Sequence, residues 1–118
     1  MTTCIVIDDD INTTQVLSEI LEVMGLDVVG KGYDGNDAVL LYKKHRPDIS
    51  FIDIIMPIND GFYAIKHIRE FDPKAKIIVV TSDNSRDTQQ KLDEMQITSL
   101  IYKPYQFTQI TQMLENYV

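Results

Sequence analysis

Residues 77–82 read Ile77-Ile78-Val79-Val80-Thr81-Ser82. Four apolar β-branched side chains in a row favour extended backbone, and no polar residue alternates with them. The run predicts a strand buried on both faces that stops on hydroxyls. Working outward, the same shape recurs. Cys4 to Ile7 is apolar and meets Asp8-Asp9-Asp10; Ile49 to Ile52 meets Asp53; Leu100 to Tyr102 meets Lys103. Val28-Val29, set between glycines, predicts one more strand.

Helical spacing fills the intervals. Over 11–24, Val16, Ile20 and Val23 form one row and Leu17, Leu21 and Met24 another, with Gly25 as the stop. Gly35-Asn36-Asp37 can cap a helix carrying Ala38, Leu41 and Tyr42, closed by Pro47. After a loop marked by Pro57 and Gly61, Phe62, Ile65 and Ile68 define a helix that ends before Pro73. A polar helix over 84–96 has only Leu92 and Met95 on its apolar side. Phe107, Ile110, Met113, Leu114 and Tyr117 define the last helix. The pattern is βα repeated five times, an α/β chain with a parallel sheet covered on both faces. Right-handed crossovers then give a single doubly wound five-stranded sheet, with the flavodoxin-like order 2-1-3-4-5.

The chain has 118 residues, 44% hydrophobic and 25% charged, which suits one domain spanning 1–118. No apolar run approaches the ~20 residues of a membrane helix, and the N-terminus shows no signal-peptide pattern. A net charge of −7 argues against nucleic-acid binding. The single cysteine, Cys4, excludes an internal disulfide; its place in a strand predicts a buried, inert thiol, and a reducing cytoplasm is the expected compartment.

In a parallel sheet the polar strand ends share one edge, and sites form there where the strand order reverses. That point falls between Asp8–Asp10 and Asp53. Taken singly, each residue has an ordinary reading: Asp8–Asp10 as a helix cap with first-turn acids, Ser82 or Asp83 as a cap, Lys103-Pro104 as a surface turn. Together they combine carboxylates for a hard divalent ion, an aspartate nucleophile, a hydroxyl and a cation for phosphate oxygens. Phosphoryl transfer needs that set. His45 and His67 read as surface residues without a role.

The stretches Ile5-Val6-Ile7-Asp8-Asp9-Asp10, Asp53-Ile54-Ile55-Met56-Pro57 with Asp60-Gly61, Val79-Val80-Thr81-Ser82 and Lys103-Pro104 resemble the receiver domain of two-component response regulators, the CheY-like fold. The resemblance spans essentially the whole chain. It implies Asp53 as phospho-acceptor. It implies Mg²⁺ (or Mn²⁺ in its place) held by Asp9, Asp53 and the Ile55 backbone carbonyl, with Asp8 acting mainly through water. Thr81 and Lys103 would contact the phosphoryl group, and Pro104 would follow a cis peptide bond. The implied phosphodonor is a sensor histidine kinase or histidine phosphotransfer protein. The implied output is a target protein on the face of the fourth helix, fifth strand and fifth helix, with the chain a monomer or a phosphorylation-dependent dimer.

Three departures stand out against the family pattern. Leu100 occupies the usual aromatic switch position; Ser82 and Tyr102 are weaker switch candidates, Tyr102 being displaced by two residues. Gln96-Ile97-Thr98 replaces a Gly-Ala pair. Ile55 puts a bulky apolar group beside the acceptor, where it is expected to hinder water. The competing readings are a haloacid-dehalogenase-like phosphatase using Asp8-Asp9-Asp10, a flavin carrier, and a pseudo-receiver that only binds a partner. The aspartates of the first loop would repel a flavin phosphate, and no acidic pair follows Lys103 as the phosphatase pattern requires.

Overall fold

A computed structural model describes residues 1–117. The elements alternate as β1 (Thr3–Ile7), α1 (Ile11–Val23), β2 (Asp27–Gly32), α2 (Gly35–His45), β3 (Ile49–Ile52), α3 (Gly61–Phe71), β4 (Ile77–Thr81), α4 (Arg86–Glu94), β5 (Ser99–Tyr102) and α5 (Phe107–Glu115). All pairings are parallel, in the order β2-β1-β3-β4-β5. This is the flavodoxin-like arrangement that the alternating pattern predicts.

Strand alternation divides the core in two. Ile5, Ile7, Ile52, Ile77 and Val79 face α2, α3 and α4. Cys4, Val6, Phe51, Ile78 and Val80 face α1 and α5 through Leu17, Leu21, Ile110 and Leu114. Burial pushes the Cys4 thiol up to about 12, so it stays protonated and unreactive.

Several local expectations are corrected. Only one row of α1 faces the sheet. Leu17 and Leu21 are buried, while Val16 and Val23 are 53% and 79% exposed. The buried stripe is completed by Thr14 and Ser18, whose hydroxyls donate to the carbonyls of Asp8, Asp10 and Thr14. Small polar residues can sit inside when their hydroxyls are satisfied in this way. Asp34, not 35–37, caps α2, accepting from the Asp37 N–H at 2.7 Å. The polar helix is shorter than 84–96, because neither Ser82 nor Asp83 caps it. Ser85 does, and Asp83 folds the preceding turn by accepting from Ser85 N and Thr88 Oγ1. Phe107 is 49% exposed at the first turn of α5 and adds little to the core. His45 and His67 are half-buried, with the His67 ring 4.2 Å from that of Tyr63.

Where the family pattern has glycine before β5, Gln96 adopts φ 55°, a left-handed conformation costing about 1–2 kcal/mol in a non-glycine residue. The Arg69 guanidinium donates to the Gln96 carbonyl at 2.7 Å and holds the turn. Thr98 ties it to β4, accepting from Ile77 N at its hydroxyl.

Gly61 opens α3 against the end of β3. A Cβ there would stand 2.3 Å from the Asp53 carbonyl oxygen and 2.7 Å from Ile54 Cα. Both are backbone atoms on a tightly packed strand end. Gly61→Ala is therefore expected to destabilise the fold by about 3 kcal/mol, an overpacking penalty exceeding the ~1 kcal/mol that alanine gains in a helix. A urea midpoint equal to that of the parent would show that the strand end yields.

Candidate functional site

Three strand ends build the site. Asp8 follows β1, Asp53 follows β3 and Lys103 follows β5. The backbone fixes the two carboxylates: Asp8 N donates to Gly32 O, and Asp53 N donates to Ile7 O at 2.9 Å. Asp8 and Asp53 are 5% and 7% exposed, so both face a poorly hydrated interior. Lys103 reaches across them. Its Nζ lies 2.5 Å from Asp8 Oδ2 and 3.2 Å from Asp53 Oδ2. The Lys103–Pro104 peptide bond is cis.

The remaining carboxylate oxygens are held by main chain. Asp53 Oδ1 accepts from Ile54 N at 2.7 Å and Ile55 N at 3.3 Å. Asp8 Oδ1 accepts from Asp10 N. Asp10 caps α1 by accepting from Thr13 N, which holds its exposed carboxyl below the usual range. Asp9 is exposed at the mouth, and one oxygen each of Asp8, Asp9 and Asp53 lies within 4.8 Å of the others. Three hard oxygen donors at that spacing, two of them desolvated, fit a small divalent cation.

Burial pushes the Asp53 carboxyl up. Lys103 opposes that shift and the Asp8 charge adds to it, leaving the net direction upward. Burial also pulls the Lys103 ammonium down, but its bond to Asp8 and the charges of Asp53 and Asp8 prevail and raise it. The lysine is thus held as a cation.

Thr81 is fully buried at the end of β4, and its hydroxyl accepts from Asp83 N at 3.2 Å. Ser82 is exposed. Ile55, two residues past Asp53, is 55% exposed. Leu100 packs against the α2–α3–α4 side of the core and, with half-buried Tyr102, lines a groove of about 380 Å³ between β5 and α5. Two residues that the sequence reading passes over also wall the site. Thr13 and Tyr105 line the cleft with Asp8, Asp53 and Lys103. Their positions, one turn into α1 and two residues past Lys103, are the only sequence signal for them. The Asp83–Thr88 bond, 2.6 Å, was likewise hidden, because it joins residues on either side of a helix cap.

A doubly wound sheet with acidic groups at its switch point, and a hydroxyl and a lysine at the neighbouring strand ends, places the chain among the α/β proteins that bind ligands at that edge. The model of the response regulator receiver domain matches residues 4–115, and the chain belongs to that family of two-component signalling switches. It is 36% identical over 112 residues to protein CcdB of Bacillus subtilis, covering 95% of this chain and 93% of that one. To the chemotaxis protein CheY of Thermotoga maritima it is 33% identical over 110 residues, covering 93% and 92%. The CheX–CheY–BeF3–Mg²⁺ complex of Borrelia burgdorferi contains a chain that superposes with a TM-score of 0.92 at 26% identity, covering 98% of this chain and 87% of that one. Family membership displaces the phosphatase and flavin-carrier readings.

Proposed function

We propose that Asp53 is the phospho-acceptor of a two-component pathway, taking a phosphoryl group from a histidine kinase or histidine phosphotransfer protein. The observation that carries this reading is the reach of Lys103 across Asp8 and Asp53, with Asp9 alongside. In the transfer, an Asp53 carboxylate oxygen forms the new P–O bond as the donor's P–N bond breaks, and the imidazole leaves with the electron pair. The backbone N–H groups of Ile54 and Ile55 hold the other Asp53 oxygen and so aim the attacking one. Lys103 then exchanges a carboxylate for a phosphoryl oxygen, and Thr81 donates its hydroxyl to another.

Asp8, Asp9, Asp53 and the Ile55 carbonyl would hold Mg²⁺, or Mn²⁺ in its place. The ion supplies positive charge that offsets the carboxylates and the incoming phosphoryl oxygens. The Borrelia relative, with BeF3 and Mg²⁺ in its complex, supports the pairing of an anion with a divalent ion in this family.

Signalling is then a population shift, for which a change from 1:99 to 99:1 requires about 5.5 kcal/mol of differential stabilisation. Leu100 offers no ring to swing. The contact available instead is the bond from Asp83 N to Thr81, because Asp83 in turn holds Thr88 and the start of α4. Turning Thr81 toward a phosphoryl group pulls on that turn and so on the α4–β5–α5 face, where a target protein docks. We place the chain, a single receiver unit over 1–118, in the cytoplasm, as a monomer or a phosphorylation-dependent dimer. It turns over no substrate beyond its own phosphoryl group. No helix among the described residues is long and apolar enough to cross a membrane.

The test is intact mass after incubation with Mg²⁺ and acetyl phosphate, followed by peptide mapping. A gain of one phosphoryl group on the peptide containing Asp53 is expected. No gain, together with no thermal stabilisation by Mg²⁺, would make the chain a pseudo-receiver.

A further inference from the structure

The chain carries −7 overall, yet six of its 11 lysines and arginines gather at the end of the sheet opposite Asp53. Lys43, Lys44 and Arg46 end α2; Arg69 lies in the last turn of α3; Lys74 and Lys76 lead into β4. Side-chain contacts join these stretches into one surface. Tyr42 donates its hydroxyl to Asp72 Oδ2 at 2.7 Å. The Phe71 ring, 37% exposed, has the Arg46 guanidinium 4.7 Å and the Lys43 ammonium 5.6 Å from its centroid.

Three carboxylates lie among these stretches, Asp48, Glu70 and Asp72, so six cations less three anions leave them at +3. Asp72 accepts from Tyr42 and from Lys74 N, and Asp48 accepts from Thr3. Lys43, Lys44, Arg46, Lys74 and Lys76 are exposed and form no ion pair with any carboxylate among the described residues. Arg69 is the exception, since it spends its N–H groups on the carbonyls of Pro73, Ala75 and Gln96. A set of unpaired cations around a half-exposed ring is an anion-attracting surface with an apolar centre.

We propose that this α2–α3 end docks a short acidic protein segment bearing an apolar residue that rests on Phe71. Charge complementarity selects the acid, and length selects a short segment. The molecule measures 32 × 30 × 27 Å. Screening limits each surface to a range of about 8–10 Å, so the basic end acts separately from the acidic remainder. A long polyanion such as DNA overruns the basic end and meets the negative surfaces, whereas a short segment does not. A membrane would need more apolar area to insert than one ring offers. The surface lies far from Asp53, so it holds its partner whether or not the acceptor is modified.

Fluorescence anisotropy with a labelled peptide of about four glutamates around one leucine, ~17 Å at full extension, in ~0.1 M salt, tests this. Saturable binding is expected to weaken at least about tenfold in a chain carrying Lys43→Gln, Lys44→Gln, Lys74→Gln and Lys76→Gln. These four are exposed and make no side-chain hydrogen bond among the described residues, so the variant should fold. A matched urea midpoint checks that it has. Lys31→Gln with Arg86→Gln, and separately Asp53→Asn, should leave affinity within about twofold of the parent. Equal binding by the quadruple variant, or no saturable binding by the parent, overturns the proposal. Tighter binding to duplex DNA or to phosphatidylglycerol vesicles than to the peptide would overturn the assigned partner class.

Discussion

Asp53→Asn is expected to take up no phosphoryl group where the parent chain takes up one, and to melt higher than the parent when no divalent ion is present. The first half follows from chemistry. An amide oxygen is a far poorer nucleophile toward phosphorus than a carboxylate, and no other carboxylate shares the grip of the Ile54 and Ile55 N–H groups. The second half follows from the upward shift of the Asp53 carboxyl. An acid raised by folding contributes stability that is present below its unfolded pKa and is lost as pH rises through the folded value. At neutral pH the buried carboxylate is therefore a net burden on the fold. An asparagine keeps the Oδ1 acceptor and removes the charge. With saturating Mg²⁺ the order reverses: at 100 times its dissociation constant the ion would stabilise the parent by about 2.7 kcal/mol and the variant by less. Phosphoryl uptake by both proteins would move the nucleophile to Asp8–Asp10. A variant that melts lower than the parent at neutral pH without metal would mean that the ion pair with Lys103 outweighs the burial of Asp53.

Much of this site was legible because strand chemistry is local. A fully apolar run ending in Asp8, Asp53, Thr81 or Lys103 announces both the strand and the edge at which its last residue lies. Strand order then brings Lys103 to within 3.2 Å of Asp53, although 50 residues separate them in sequence. The helices were less legible, since two apolar rows on α1 look alike in sequence and only the sheet decides between them. Thr14 and Ser18 won the inward stripe over Val16 through hydroxyl bonds to carbonyls one turn back, which no hydropathy pattern records. The start of α4 was misplaced for a related reason. Ser82, Asp83 and Ser85 are all good caps, and the Asp83–Thr88 bond decides which one serves. The basic end was invisible to net charge, because the sum of −7 conceals how the signs are distributed.

Lys103→Ala is expected to produce the largest loss of stability of any substitution at the site, and a loss that Mg²⁺ repairs. Removing one member of a buried ion pair typically costs about 3–5 kcal/mol; the Lys103 side chain is 21% exposed, so about 2–3 kcal/mol is the reasonable expectation. The loss comes from Asp8 and Asp53, left close together in a dry site without a counter-charge. It should therefore depend on pH in a fixed direction. Without Lys103 the Asp53 carboxyl rises further, so the deficit is greatest at neutral pH. It shrinks as pH falls through the carboxylate range and the acid takes up its proton. The thermal shift on adding Mg²⁺ should be larger in Lys103→Ala than in the parent, since the ion then supplies the only cation between the carboxylates. The shift on phosphorylation should be smaller, since a phosphoryl oxygen has lost its lysine. Equal Mg²⁺ shifts in the two proteins would show that Lys103 does not serve as the resident counter-ion. A deficit that stays constant from neutral pH down to about 4 would show that carboxylate repulsion is not what the lysine relieves.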